Sequence, residues 1–282
     1  MYRAKEKGKN NYVYYDASFA NTSYETITIE NELKSAIANK EFEVYYQPQI
    51  LLENDTLIGL EALIRWNHPK HGVLLPGRFI PYAEESKMIL AIGAFVVRQA
   101  CLDLLALQKE FGFKGRVSVN VSGIQLEHDD FSTTLETILK ETGVTPSSLE
   151  LEITESVFMK DALRWISILE KLRRLGIKIA IDDFGTGYSS LSYLRRLPAD
   201  KLKIDISFVR DVPHHEDAKA IAKAIIVLAK SMHMRTLAEG IETAQQAHFL
   251  KTEGCDEGQG YYFEKGLTFS ALKAWIKKRE ET

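Results

Sequence analysis

One feature constrains this chain more than any other: strand-like and helix-like segments alternate along almost its whole length. Apolar, β-branched runs stand at 42–50, 56–66, 116–122, 149–154, 177–184, 201–205, 235–240 and 258–263. Amphipathic stretches at 95–112, 162–176 and 217–232 lie between them and repeat at helical spacing. Strand, helix, strand is the pattern of parallel pairing through crossover helices. Eight such runs in roughly 250 residues are what a closed (β/α)8 barrel requires. The first two runs are joined only by "LLEND", too short for a helical crossover, so they form an antiparallel hairpin. The expected fold is therefore α/β, a (β/α)8 TIM-like barrel with one reversed strand. An open doubly wound sheet is the alternative topology.

Polar residues fall where a barrel builds its active site, at the C-terminal ends of the strands. The second run carries Glu61, with Arg65 four residues on and so on the same face of an extended chain. The third carries Asn120 between Ser118 and Ser122, the fourth carries Glu152, and Glu155 follows just beyond it. The fifth ends in Asp182 and Asp183, the sixth contains Lys203, the seventh ends in Glu239 and the eighth contains Gln259. Glu61, Glu152, Asp182, Asp183 and Glu239 would then place five carboxylates in a mouth about 10 Å across. Like charges at that spacing cannot all ionise without cations among them. Oxygen donors without thiolates or paired imidazoles favour Mg2+ or Mn2+ over zinc. Two adjacent aspartates suit two ions, the usual apparatus of phosphodiester hydrolysis. Arg65 would grip a phosphate oxygen, and Lys203 would hold or deprotonate the attacking water.

Composition excludes several classes. The net charge is −3 and no block is strongly basic, so duplex DNA or RNA is not an expected partner. Two cysteines without CxxC spacing, Cys101 and Cys255, fit a reducing compartment. No apolar run reads as membrane-spanning, which points to a cytoplasmic chain without membrane contact.

The motifs "YYQPQI", "EALIRW", "LPGRFIPYAEES", "VSVNVS", "LELEITES", "DDFGTGYSSLSYLRRLPADKLKID", "LAEGIET" and "GCDEGQGYYF" occur in that order. Together they resemble the EAL-domain cyclic di-GMP phosphodiesterases, named after a tripeptide that here is Glu61-Ala62-Leu63. The resemblance implies a barrel with a reversed strand that hydrolyses cyclic di-GMP to linear pGpG with two Mg2+ or Mn2+ ions. It implies metal ligation by Glu61, Asn120, Glu152, Asp182, Asp183 and Glu239, and a water held by Lys203. Substrate contacts are implied for Arg65, Gln47 and Gln259, and support of the "DDFGTG" loop for Glu155 and Glu242. A homodimer is implied through the segment after that loop. One departure is Gly266, where the family commonly has proline. Residues 1–17, "MYRAKEKGKNNYVYYDA", resemble the last helix and strand of a GGDEF domain. The expected organisation is that remnant, a linker over 18–30 and the barrel over 31–282. Binding of cyclic di-GMP without cleavage, and a metal-dependent barrel lyase or isomerase, are the other function classes considered.

Overall fold

The structure is a computed structural model that describes residue 29 and residues 32–159, 162–185 and 194–280. The expected GGDEF-like remnant, and the linker apart from residue 29, lie outside the described residues.

A helix, α1 (32–38), leads into β1 (Phe42–Leu51) and β2 (Thr56–His68), which pair antiparallel along their length. Strands β4 (Arg116–Asn120), β5 (Leu149–Thr154), β6 (Lys178–Phe184), β7 (Lys201–Ile204), β8 (Arg235–Ala238) and β9 (Glu257–Gly258) follow β2 in parallel order. Pairing of β9 with β1, again antiparallel, closes the ring. The barrel is therefore eight-stranded with β1 as its one reversed strand, as the short "LLEND" connection requires. Two short strands, β3 (Gly72–Leu74) and β10 (Leu267–Thr268), extend β2 and β1 outside the ring.

Period-two alternation divides each strand between two environments. Val117, Val119, Leu149, Leu151, Ile153, Ile179, Ile181, Leu202 and Ile204 are buried and point outward into the helical shell. That shell comprises α2 (Ile80–Glu85), α3 (Ile89–Phe111), α4 (Gly123–Glu127), α5 (Phe131–Thr142), α6 (Ala162–Arg174), α7 (Ile206–Val209), α8 (Glu216–Ser231), α9 (Ala244–Thr252) and α10 (Phe269–Glu280). The inward positions carry the polar residues.

Three expectations need correction. Helix α3 has 23 residues and an 18-residue stretch with a mean hydropathy of 1.8, enough by length and composition to cross a membrane. Here its buried face, from Ile89 to Leu107, packs on the barrel as a core helix. The third run ends at Asn120 rather than 122, because Ser122 accepts from Gln125 N–H and caps α4 in a reciprocal capping box. The eighth run is only Glu257–Gly258. Gly260 turns the chain at φ 155°, where a Cβ would lie 2.2 Å from the Ile241 carbonyl oxygen. Tyr261 and Tyr262 beyond it are 63% and 46% exposed rather than buried in a strand.

Candidate active site

Adjacent strand residues normally face opposite ways, so Asp182 and Asp183 should not share a site. The β6–β7 register shifts between Ile181 and Phe184, and Asp183 takes a left-handed φ of 53°. The bulge turns both carboxylates to one mouth. One oxygen from each, with one from Glu239 just past β8, lie within 4.8 Å of one another. Asp182 Oδ1 also accepts the backbone N–H of Asp183 at 2.9 Å, which fixes the turn.

Lys203 stands at the centre, fully buried on β7. Its Nζ lies 2.6 Å from Glu152 Oε2, 2.8 Å from Glu239 Oε1, 3.1 Å from Asp182 Oδ1 and 4.0 Å from Glu61 Oε1. Glu61 Oε1 accepts from Asn120 Nδ2 at 2.7 Å, and its Oε2 accepts from Gln259 Nε2. Gln259 Nε2 also reaches Gln47 Oε1 at 3.0 Å, and Gln47 Nε2 donates to the Glu264 carbonyl at 3.1 Å. Nine inward residues named from sequence thus meet in one mouth: Gln47, Glu61, Asn120, Glu152, Asp182, Asp183, Lys203, Glu239 and Gln259.

The others stand apart. Arg65 lies further along β2 at the rim, its guanidinium 5.4 Å from the Tyr45 ring centre and donating to the Ile64 carbonyl at 2.9 Å. A Cβ on Gly266 would sit 3.4 Å from Leu63 and 3.6 Å from the Arg65 guanidinium, so the departure at this position leaves ordinary contact distances. Buried Glu155 accepts the Gly185 N–H at 2.8 Å and ties down the chain just after the two aspartates. Glu242 is exposed, and its backbone N–H donates to Gln246 Oε1 at 2.8 Å in the turn before α9.

The electrostatics follow from crowding acids in a dry barrel. Burial pushes Glu152 well above the usual carboxylate range despite the neighbouring ammonium. Burial, opposed by Lys203 and reinforced by Asp182 and Glu61, raises Glu239 to about 8. Asp183 is raised by burial and then by Asp182. Burial would raise Glu61 too, but Lys203 and the amides of Gln259 and Asn120 outweigh it and hold it below its ordinary value. Burial disfavours charge on Lys203 as well, yet Glu152, Glu239, Glu61 and Asp182 hold it well above the usual lysine range. These four carboxylates favour its ammonium form. With every acid ionised, five carboxylates and one ammonium would leave four negative charges, which two divalent cations neutralise. The donors are all oxygen, and binding of a cation would displace the protons of the raised acids into solvent. The residues fit hard divalent ions.

Beneath this layer lies a second one that the strand-end reading passed over. Lys201 Nζ is 2.7 Å from Glu150 and 2.8 Å from Glu257, and Ser118 Oγ donates to Glu150 at 2.8 Å. Its signal was in the sequence as repeated residue types at period two, "ELE", "KLK" and "QPQ". Beside the mouth, a cavity of about 820 Å³ is lined by Leu63, Pro76, Ile80, Asn120, Ser122 and their neighbours. Its size is that of a small-molecule site.

Comparison with known proteins gives a consistent set of matches. The EAL domain family matches residues 30–266. The bifunctional diguanylate cyclase/cyclic di-GMP phosphodiesterase MucR of Pseudomonas aeruginosa is 38% identical over 276 residues, covering 98% of this chain and 40% of its own length. The cyclic di-GMP phosphodiesterase NbdA of the same organism is 39% identical over 277 residues, covering 98% of this chain and 35% of its own length. The chain thus spans well under half of these relatives. A solved structure described as PaMucR phosphodiesterase in complex with c-di-GMP superposes with a TM-score of 0.83 at 39% identity, covering 87% of this chain and 99% of that one.

Proposed function

The chain belongs to the EAL domain family, and from that premise we propose that it hydrolyses cyclic di-GMP to linear pGpG using two Mg2+ or Mn2+ ions. The observation that carries the reading is the β6 bulge, which brings Asp182, Asp183 and Glu239 together beside an ammonium. Glu61, Asn120, Glu152, Asp182, Asp183 and Glu239 would hold the ions. When bound, such ions lower the pKa of water and offset charge on the phosphate. Lys203 donates hydrogen bonds to the attacking water and fixes its line toward phosphorus. Attack forms a bond from the water oxygen to phosphorus and breaks the bond to one ribose 3′ oxygen, which ends as a hydroxyl with a proton from the water, leaving a 5′ phosphate. The neutral amides of Gln47 and Gln259 line the mouth without adding charge, and the cavity beside Leu63 and Ser122 takes a base.

Arg65 supplies the fixed positive charge at the rim. Arg65→Ala removes one charge-assisted hydrogen-bonding group, worth about 1.5–3 kcal/mol. KM is expected to rise about 10- to 100-fold, with a smaller change in kcat. Steady-state kinetics on cyclic di-GMP test this, and an unchanged KM removes Arg65 from substrate binding.

The proposal extends to a cytoplasmic homodimer that follows the tail of a GGDEF-like domain at residues 1–17. Buried, free Cys101 and Cys255 suit a reducing compartment. Similarity to MucR covers 98% of the chain, whereas the EAL match begins at residue 30. The bond from Gly185 N–H to Glu155 offers a route by which a contact near the loop would steady Asp182 and Asp183. One preparation, residues 18–282, tests these points by sedimentation and turnover on a dilution series. It is expected to be dimeric, with the turnover of the longer chain and a specific activity that falls as dimers dissociate. A monomer with constant activity contradicts the assembly, and loss of turnover on truncation contradicts the domain boundary.

A further inference from the structure

We infer that Gln49 is a positioning residue that locks the carboxylate of Glu152 to the buried ion layer beneath the active site. The inference rests on the proposed metal centre and adds to it a residue that no strand-end pattern marks.

Gln49 is 1% exposed and points inward from the reversed strand, one inward position below Gln47. Its carboxamide spans the two polar layers. Lys201 Nζ donates to Gln49 Oε1 at 3.4 Å, and Gln49 Nε2 donates to Glu152 Oε1 at 3.4 Å. An amide offers an acceptor at one end and donors at the other, whereas an ammonium offers donors only. The carbonyl end must therefore face Lys201, and the NH2 must face Glu152. Lys201 is in turn held by Glu150 and Glu257, and Arg116 and Arg235 approach those two carboxylates at 3.6 Å and 3.3 Å. The direction of the amide is thus set by charges that do not touch substrate.

Glu152 has one oxygen on Lys203 and the other on Gln49. The terminal torsion of a glutamate is broad, and a second partner is what narrows it. Fixing that torsion holds a ligand oxygen in place before an ion arrives, as partners behind metal ligands do.

The neighbouring strand is shaped for this contact. Gly59 lies opposite Gln49 in the β1–β2 register, and a Cβ there would come within 2.6 Å of Gln49 Oε1. Glycine at 59 lets the carboxamide lie across the barrel. Gly59→Ala would displace the end of a flexible side chain and leave the backbone in place.

The test is Mn2+ titration of the purified chain by calorimetry, with thermal unfolding in chelator as the control for folding. Gln49→Leu removes the bridge, while Lys201 keeps Glu150 and Glu257. Gly59→Ala keeps the amide but moves it. Both variants are expected to weaken Mn2+ binding about 10- to 100-fold with an unchanged unfolding midpoint. A role in packing alone would lower the midpoint and spare the affinity. Wild-type affinity in Gly59→Ala, or in a folded Gln49→Leu, overturns the inference. If the wild-type chain takes up no Mn2+, the metal centre itself falls and this inference with it.

Discussion

Lys203→Ala is expected to lower turnover about 100- to 10,000-fold, the range for losing a group that handles the reacting proton or water. In chelator it is also expected to destabilise the fold, because removing one partner of a buried ion cluster leaves charges uncompensated, typically at about 3–5 kcal/mol. Lys203 is the sole ammonium within 4.0 Å of Glu61, Glu152, Asp182 and Glu239 among the described residues. Partial protonation of Glu152 and Glu239, already raised by burial, would limit the loss. The two effects separate on adding Mn2+. Divalent ions can replace the missing charge, so the unfolding midpoint should recover, whereas turnover should not, since no other donor reaches the water. Calorimetry and kinetics on the same variant read both quantities. Recovery of turnover along with stability would reduce Lys203 to a structural counter-charge.

Removal of divalent ions should abolish turnover altogether. With all five of its carboxylates ionised the mouth would carry four more negative than positive charges, and a phosphodiester entering it brings further negative charge. Without cations Glu239, raised to about 8, stays largely protonated at neutral pH, and nothing offsets the charge of the incoming phosphodiester beside the acids that remain ionised. Mg2+ or Mn2+ should restore the reaction. Ca2+ should not, because its bonds of about 2.3–2.6 Å exceed the roughly 2.0–2.1 Å of Mg2+ and spread the donors.

The sequence made the barrel legible because its two periodicities are strong and its connections are short. "LLEND" forces a hairpin, and that hairpin makes β1 the reversed strand. Glu61, Asn120, Glu152 and Lys203 were legible for the same reason, since strand geometry alone turns each inward. Asp182 and Asp183 were legible only as a pair, because a bulge and a left-handed residue are what set them together. The charge state of Lys203 was open between holding and deprotonating water, and only the distances to four carboxylates decide it. "GQGYYF" misled because its aromatic run reads as a strand, while contact between Gly260 and the Ile241 backbone turns the chain. Glu150, Lys201 and Glu257 stand two positions before the mouth residues of their strands, and Gln49, on the reversed strand, two positions after Gln47, so no strand-end pattern includes them. Arg65 was legible by the same period, four residues beyond Glu61 on β2, whereas the contact of Glu155 depends on the turn at Gly185, which no periodicity encodes.

The central claim is that this mouth holds divalent ions and uses them to open cyclic di-GMP. It is tested most directly by incubating the purified chain with cyclic di-GMP in Mg2+, in Mn2+ and in EDTA, and separating the products by chromatography. The account predicts linear pGpG in both metals, none in EDTA, and recovery when Mn2+ is added beyond the chelator. Hydrolysis that persists in EDTA at the metal-supported rate, or intact cyclic di-GMP bound but uncut under every condition, would contradict it.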